Sequence, residues 1–343
     1  MQAYVPCPSR TIDPLLQKDS RMALQETPEM AQRFAYLDDQ QRAFTIHADA
    51  AFLREEIISS SNGAPLTVYE AGAAHSPVVV LINPLGMSCL FMTRLALRLA
   101  EHFRVISWES RGLPDYAAAQ SDGKEDWSLE SHCQDLLAIL RHKQCEMEAI
   151  VSFCSGANIA VHGLSNGLLK TQRLCMVSPS LEMGEVGGKT DYQRGILPLW
   201  SKIAQDGLRM ATLVRVLLQQ SESKFDSDTD YELSVINNLP FKSNEHTLRY
   251  AQLHTPCLQQ HSTTLLPKIA VPTLLIHGED DDMVHADSAR AIAAALPQCE
   301  LLWNNEGGHF AIYKSTTLQT AVARFLLSPA SDNAVALTAH AAA

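Results

Sequence analysis

The chain has 343 residues, 46% hydrophobic and 19% charged, the balance of a folded globular protein rather than a disordered one. A formal net charge of −11 argues against a nucleic-acid partner, which would need cations to neutralise many phosphates. No apolar run reaches the roughly 18 residues of a membrane span, so none is expected.

Residues 1–52 read as an N-terminal extension, with a short amphipathic helix over Pro28–Leu37. Its start is polar and broken by prolines, unlike a secretory signal. Arg54 to Gly72 reads as a hairpin turning at Asn62-Gly63. A buried strand follows at Val78–Ile82 and ends abruptly at Asn83-Pro84-Leu85-Gly86. Alternation then sets in: a helix over Ser88–Glu101, a strand at Arg104–Trp108, a helix over Leu129–Arg141 and a strand at Ala149–Phe153. A helix over Gly156–Leu169 and a strand at Leu174–Val177 complete this run. Strands separated by helices require crossover connections, hence a mostly parallel sheet covered on both faces.

The rhythm stops at 181–265, where helical periodicity in Ile196–Met210 and Ala211–Gln220 gives way to polar and Asp-rich loops. It resumes with a strand at Thr273–His277, a helix over Ala286–Ala295, a strand at Glu300–Trp303 and a helix over Ser315–Leu327. The expected organisation is one α/β core formed by 53–180 and 266–328, with a helical cap at 181–265 inserted after the sixth strand. A disordered Ala-rich tail at 329–343 closes the chain.

The segment Ala149-Ile150-Val151-Ser152-Phe153-Cys154-Ser155-Gly156-Ala157 runs from a buried strand into a helix. A sharp strand-to-helix turn needs small residues two before and two after its centre, here Ser152 and Gly156, and puts Cys154 in strained geometry at the helix N-terminus. A register centred on Ser155 would put bulky Phe153 at the crowded position. A thiolate is favoured at a helix N-terminus and beside a histidine, and the first helical amide, that of Ser155, is free to face a developing oxyanion. The plainer alternative is that Cys154 packs as most cysteines do. Two later segments count against that: His277-Gly278-Glu279-Asp280-Asp281-Asp282-Met283-Val284 closes one strand with carboxylates, and Gly307-Gly308-His309-Phe310 follows the next.

These motifs resemble the α/β-hydrolase superfamily, in which nucleophile, acid and histidine occur in this order. The resemblance covers roughly residues 54 to 327 and implies an α/β-hydrolase fold with Cys154 as nucleophile, His309 as base and Asp281, or alternatively Asp280, as the orienting acid. It implies an oxyanion hole from the backbone N–H groups of Leu85 and Ser155, although Asn83-Pro84 stands where the family has His-Gly. Glu109 and Arg111 fall in the family's D-x-R-G loop and read as ties between loops; His277 and His285 read as loop residues.

Cysteine in place of serine makes a thioester, a donor suited to amines and thiols. The expected substrate is therefore an acyl thioester, carrier- or CoA-bound, that is transferred, cyclised or hydrolysed, as in polyketide and nonribosomal peptide metabolism. A simple ester or lactone hydrolase and a catalytically silent relative are the alternatives. Apolar residues in the cap, Trp200 and Leu213 among them, are candidates for contact with an apolar acyl group. No cofactor or metal is expected, because there is no phosphate-binding glycine pattern, no C-x-x-C pair and no ligand spacing among the eight cysteines. Reduced cysteines suit a cytoplasmic protein.

Overall fold

The computed structural model of the protein describes residues 53–58, 63, 65–111, 126–219, 233, 236–241, 243–305 and 307–328. The expected extension over 1–52 with its helix, Asn62 of the hairpin turn, the Asp-rich part of the insert and the tail at 329–343 lie outside the described residues.

Eight strands form one sheet: β1 (Leu53–Ile58), β2 (Pro65–Ala71), β3 (Val78–Ile82), β4 (Arg104–Trp108), β5 (Met147–Phe153), β6 (Arg173–Val177), β7 (Thr273–Gly278) and β8 (Cys299–Asn304). Their order is β1-β2-β4-β3-β5-β6-β7-β8. The β1–β2 and β2–β4 pairs are antiparallel, and every pair from β4–β3 to β7–β8 is parallel. The chain reverses direction across the sheet at β3, which lies between β4 and β5. In such sheets a crevice for ligands opens at the carboxyl ends of the strands beside that reversal.

β3 reads Val-Val-Val-Leu-Ile because both its faces are covered. Val78, Val80 and Ile82 join the core beneath α2 (Leu129–His142), α3 (Ala157–Ser165) and α7 (Ala286–Ala295). Val79 and Leu81 join the opposite core beneath α1 (Thr93–Leu99) and α8 (Thr316–Leu327). The side-chain alternation of a strand thus feeds two cores from one apolar run.

Between β6 and β7 lie α4 (Asp191–Asp206), α5 (Leu208–Gln219) and α6 (Asn244–Gln259). They enclose a separate apolar cluster of Ile196, Trp200, Ile203, Ala211, Val214 and Ala251. Two expectations need correction here. The periodic run Ile196–Met210 is not one helix, because Gly207 takes φ 74° and ends α4 before α5 begins. The polar stretch after it contains a 16-residue helix, α6, where loops were expected. The buried residues of α6, Thr247, Ala251, Leu253 and Cys257, include small and polar ones, so the apolar stripe in the sequence is faint. Packing against α4 and α5, not intrinsic periodicity, holds it helical. No helix among the described residues is long and apolar enough to cross a membrane.

Candidate active site

β5 passes into α3 through a single 3-10 turn, Cys154–Gly156. Cys154 has φ 50°, the left-handed region that a non-glycine residue enters only at a cost of about 1–3 kcal/mol. The end of β3 lies hard against this turn: a Cβ on Gly156 would stand 2.3 Å from the Asn83 carbonyl oxygen and 2.6 Å from that of Ile82. Glycine two residues after Cys154 is therefore a steric requirement. Ser152, two before it, is fully buried.

The loop after β8 carries two left-handed glycines, Gly307 with φ 91° and Gly308 with φ 58°, and these turn the chain so that His309 enters the site. The imidazole is 3% exposed and packs between the rings of Phe153 and Phe310, with centroids 5.2 and 5.1 Å away. Its Nδ1 donates to Asp281 Oδ2 at 2.8 Å, and Cys154 lies near enough to the ring to act on its charge. Asp281 is the carboxylate that meets the histidine; its other oxygen accepts from the N–H groups of Met283 (2.9 Å) and Val284 (2.8 Å). Asp280 instead accepts from the Gly308 N–H at 3.1 Å.

Electrostatics follow from this arrangement. Burial by itself would lower the His309 pKa, but the neighbouring Cys154 and the Asp281 carboxylate outweigh it, raising the value to about 10. Burial would likewise raise Asp281, yet the His309 charge and hydrogen bond, with the Val284 N–H, hold its carboxyl below the usual range. A second histidine nearby, His277, is buried and donates Nε2–H to the Val284 carbonyl at 3.1 Å; burial lowers its pKa. His285 is half-buried beside Gly188 and caps α7 by accepting from the Asp287 N–H at 3.1 Å.

The Leu85 amide lies beside the turn, but its N–H donates to Ser155 Oγ at 2.9 Å. The neighbouring Gly86 N–H donates to Ser110 Oγ at 3.1 Å. Of the two expected oxyanion donors, the Ser155 amide sits at the helix start, where amides lack intrahelical partners. The Leu85 amide is covered by a hydroxyl. Glu109 accepts from Ser88 Oγ at 3.2 Å and Cys89 Sγ at 3.4 Å. Arg111 is 1% exposed and forks onto both oxygens of Asp135 in α2 at 2.6 Å each, so both residues tie loops to the core.

The helical insert reaches the site through α6. A Cβ on Gly86 would stand 2.8 Å from the Tyr250 ring and 3.0 Å from Leu253. Trp200 is 3% exposed, stacked on Phe241 at 5.7 Å and edge-on to Tyr250 at 5.1 Å, so it belongs to the insert's own core. A cavity of about 30 Å³ opens beside Ser155, between the elbow and the insert. Neither Trp200 nor Leu213 is in its wall, which includes Glu182, Gln193, Leu197 and His254. Tyr250 and His254 had no role in the sequence reading. Their spacing of four places them on one helical face, but that signal appears only once 244–259 is known to be helical.

The family model described as alpha/beta hydrolase fold matches residues 77–316. An L-allo-isoleucyltransferase of Pseudomonas savastanoi pv. glycinea is 24% identical over 232 residues, 67% of this chain and 79% of that protein. A magnesium-chelatase 30 kDa subunit of Rhodobacter capsulatus is 22% identical over 252 residues, 71% and 84% of the two chains. Among solved structures, the enol-lactonase of Burkholderia xenovorans LB400 superposes with a TM-score of 0.61 at 18% identity, covering 80% of this chain and all of that one. At that identity the superposition speaks to fold alone.

Proposed function

Because this chain belongs to the alpha/beta hydrolase family, we propose that it processes acyl thioesters through a covalent acyl-Cys154 intermediate, with His309 as acid–base and Asp281 as its orienting partner. The observation that carries this reading is a cysteine at φ 50° on a strand-to-helix turn, near a buried histidine whose Nδ1 lies 2.8 Å from a buried aspartate.

The chemistry runs in two halves. The Cys154 thiolate, beside the His309 imidazolium, adds to the thioester carbonyl. The new C–S bond forms as the donor's C–S bond breaks, and the departing thiolate takes the proton from His309. Neutral His309 then accepts the proton of the incoming acceptor as that group attacks, and Cys154 leaves as thiolate. The oxyanion of each tetrahedral stage faces the Ser155 N–H. For the Leu85 N–H to serve it as well, Ser155 Oγ turns aside as the carbonyl arrives.

A thioester intermediate exchanges with another thiol at almost no free-energy cost, which favours transfer between thiols over loss to water. The Pseudomonas relative, an L-allo-isoleucyltransferase, supports transfer, and an aminoacyl group as one form of cargo. A carrier-bound or CoA-bound donor suits the exchange. The seven described cysteines are all free, in keeping with a reducing compartment such as the cytoplasm.

The test is intact-protein mass spectrometry after brief exposure to a panel of acyl thioesters, comparing wild type with Cys154→Ala. An acyl adduct confined to the wild type is expected, and its lifetime with thiol, amine and water acceptors separates transfer from hydrolysis. No adduct from any donor would sink the reading.

A further inference from the structure

The elbow is short of donors for a developing oxyanion. The Leu85 N–H is taken up by Ser155 Oγ at 2.9 Å and the Gly86 N–H by Ser110 Oγ at 3.1 Å, which leaves the Ser155 amide. Charge that develops on an oxygen is stabilised by fixed donors already aimed at it. Tyr250 of α6 closes over the same segment from the insert. A Cβ on Gly86 would stand 2.8 Å from Tyr250 Cδ2 and 3.5 Å from Cε2, so one side of the ring lies against the turn that carries both covered amides.

Cys154 and Tyr250 pack against one apolar cluster, which includes Phe91 and Phe153, and Cys154 lies near enough to the Tyr250 hydroxyl to act on its charge. That hydroxyl has no hydrogen-bond partner among the described residues, although a covered tyrosine usually finds one. The ring is held in place: Trp200 and Phe241 meet it edge-on with centroids 5.1 and 5.3 Å away, and the His254 ring packs on it at 4.3 Å. Its apolar surroundings, then the neighbouring Tyr192 and Cys154, push the phenol well above its usual pKa, so it keeps its proton and stays a donor. Ser180 also carries a hydroxyl beside the elbow, and its N–H donates to the Cys154 carbonyl oxygen at 3.1 Å. Ser180 follows β6, however, and β5 separates β6 from β3, which leads into Leu85 and Gly86. The Leu85 amide thus shares its side of the nucleophile with Tyr250 and not with Ser180.

We propose that Tyr250 is a further catalytic residue: its hydroxyl donates a hydrogen bond to the carbonyl oxygen of the acyl group on Cys154, alongside the Ser155 N–H. The phenol supplies the second donor while Ser155 Oγ still covers the Leu85 amide. It keeps its proton throughout, so no bond to it forms or breaks. This inference rests on Cys154 carrying the acyl group.

The probes are the N-acetylcysteamine thioesters of isoleucine and of hexanoic acid, with the rate of Cys154 acylation read by intact mass. Alkylation of Cys154 by iodoacetamide is followed across pH in parallel. Tyr250→Phe deletes the hydroxyl and keeps the ring; the hydroxyl makes no hydrogen bond in the free protein, so thermal unfolding should match the wild type. The variant should acylate about 10²-fold more slowly, the usual loss for one oxyanion donor. Its alkylation rate and pH midpoint should stay unchanged, because alkylation develops no oxyanion. Acylation of Tyr250→Phe at the wild-type rate would overturn the proposal. So would an equal slowing of acylation and alkylation, the mark of a structural role, or a shifted alkylation midpoint, the mark of a hydrogen bond to the thiolate itself. Each of these leaves acyl-Cys154 chemistry standing, whereas absence of adduct on the wild type with both probes removes that chemistry and this inference with it.

Discussion

The elbow and the helical insert meet at one cavity but are held in different ways. At the elbow the constraints are backbone ones: Cys154 sits at φ 50°, Gly156 touches the Asn83 carbonyl, and Asp281 is gripped by two amides. In the insert they are side-chain ones: Trp200 stacks on Phe241, Tyr250 meets both edge-on, and Ile196, Ile203, Ala211 and Val214 fill the space between helices. Backbone constraints allow few substitutions and fix atoms finely, which suits bond making. Side-chain packing tolerates volume-conserving exchange, so the insert's part of the cavity wall can change without disturbing the elbow.

The largest expected effect falls on the elbow side. His309→Ala should cut turnover by at least about 10³-fold while thermal unfolding stays cooperative, since it removes the base from an otherwise intact site. Asp281→Asn should cost roughly 10²- to 10⁴-fold and Asp280→Asn less than about tenfold, because Asp281 alone holds the imidazole. Steady-state kinetics on the three variants decides this, and a more sensitive Asp280 would mean that the loop regroups in solution.

Two buried histidines extend the comparison to pH. His309, raised to about 10, contributes stability that is fully present below its unfolded value near 6.5 and is lost as pH rises toward 10. His132, on α2, is lowered to about 4 by burial, against the pull of Asp135. Between pH 6.5 and 4 its unfolded form binds a proton that the fold refuses, so stability falls on acidification. Denaturant titrations across pH should show the advantage of wild type over His309→Gln shrinking from about pH 6.5 to 10. His132→Leu should flatten the acid limb. A pH-independent difference for His309→Gln would show that its imidazolium is not what the site stabilises.

The smallest effects come from two glycines. Gly156→Ala drives a Cβ into backbone and should destabilise by about 1–3 kcal/mol. Gly195→Ala, inside α4 with open space around it, should stabilise by about 0.5–1 kcal/mol. Urea midpoints measure both, and matching signs would erase the contrast between the two regions.

Much of this was legible without coordinates. The strands from Val78 to Trp303 stood out because buried parallel strands are short, continuous apolar runs set off by breakers. The elbow was legible because Ser152, Cys154 and Gly156 answer a steric demand local to nine residues. Asp281 and His309 were candidates by order and loop chemistry, though sequence left Asp280 open; only the hydrogen bond at 2.8 Å separates them. The helix over 244–259 was not legible, because its buried face mixes Thr247 and Cys257 with Ala251 and Leu253.

The sequence by itself determined the parallel sheet, the position of the elbow and the three side chains that converge there, because each depends on contacts within a short segment or on the order of strands. Tertiary structure alone decided that Ser155 Oγ covers the Leu85 amide, that Trp200 belongs to a core, and that His254 faces the cavity. Those outcomes depend on how helices far apart in the chain settle against the sheet edge, and nothing in a residue's neighbours along the sequence encodes which side it will turn to such a surface.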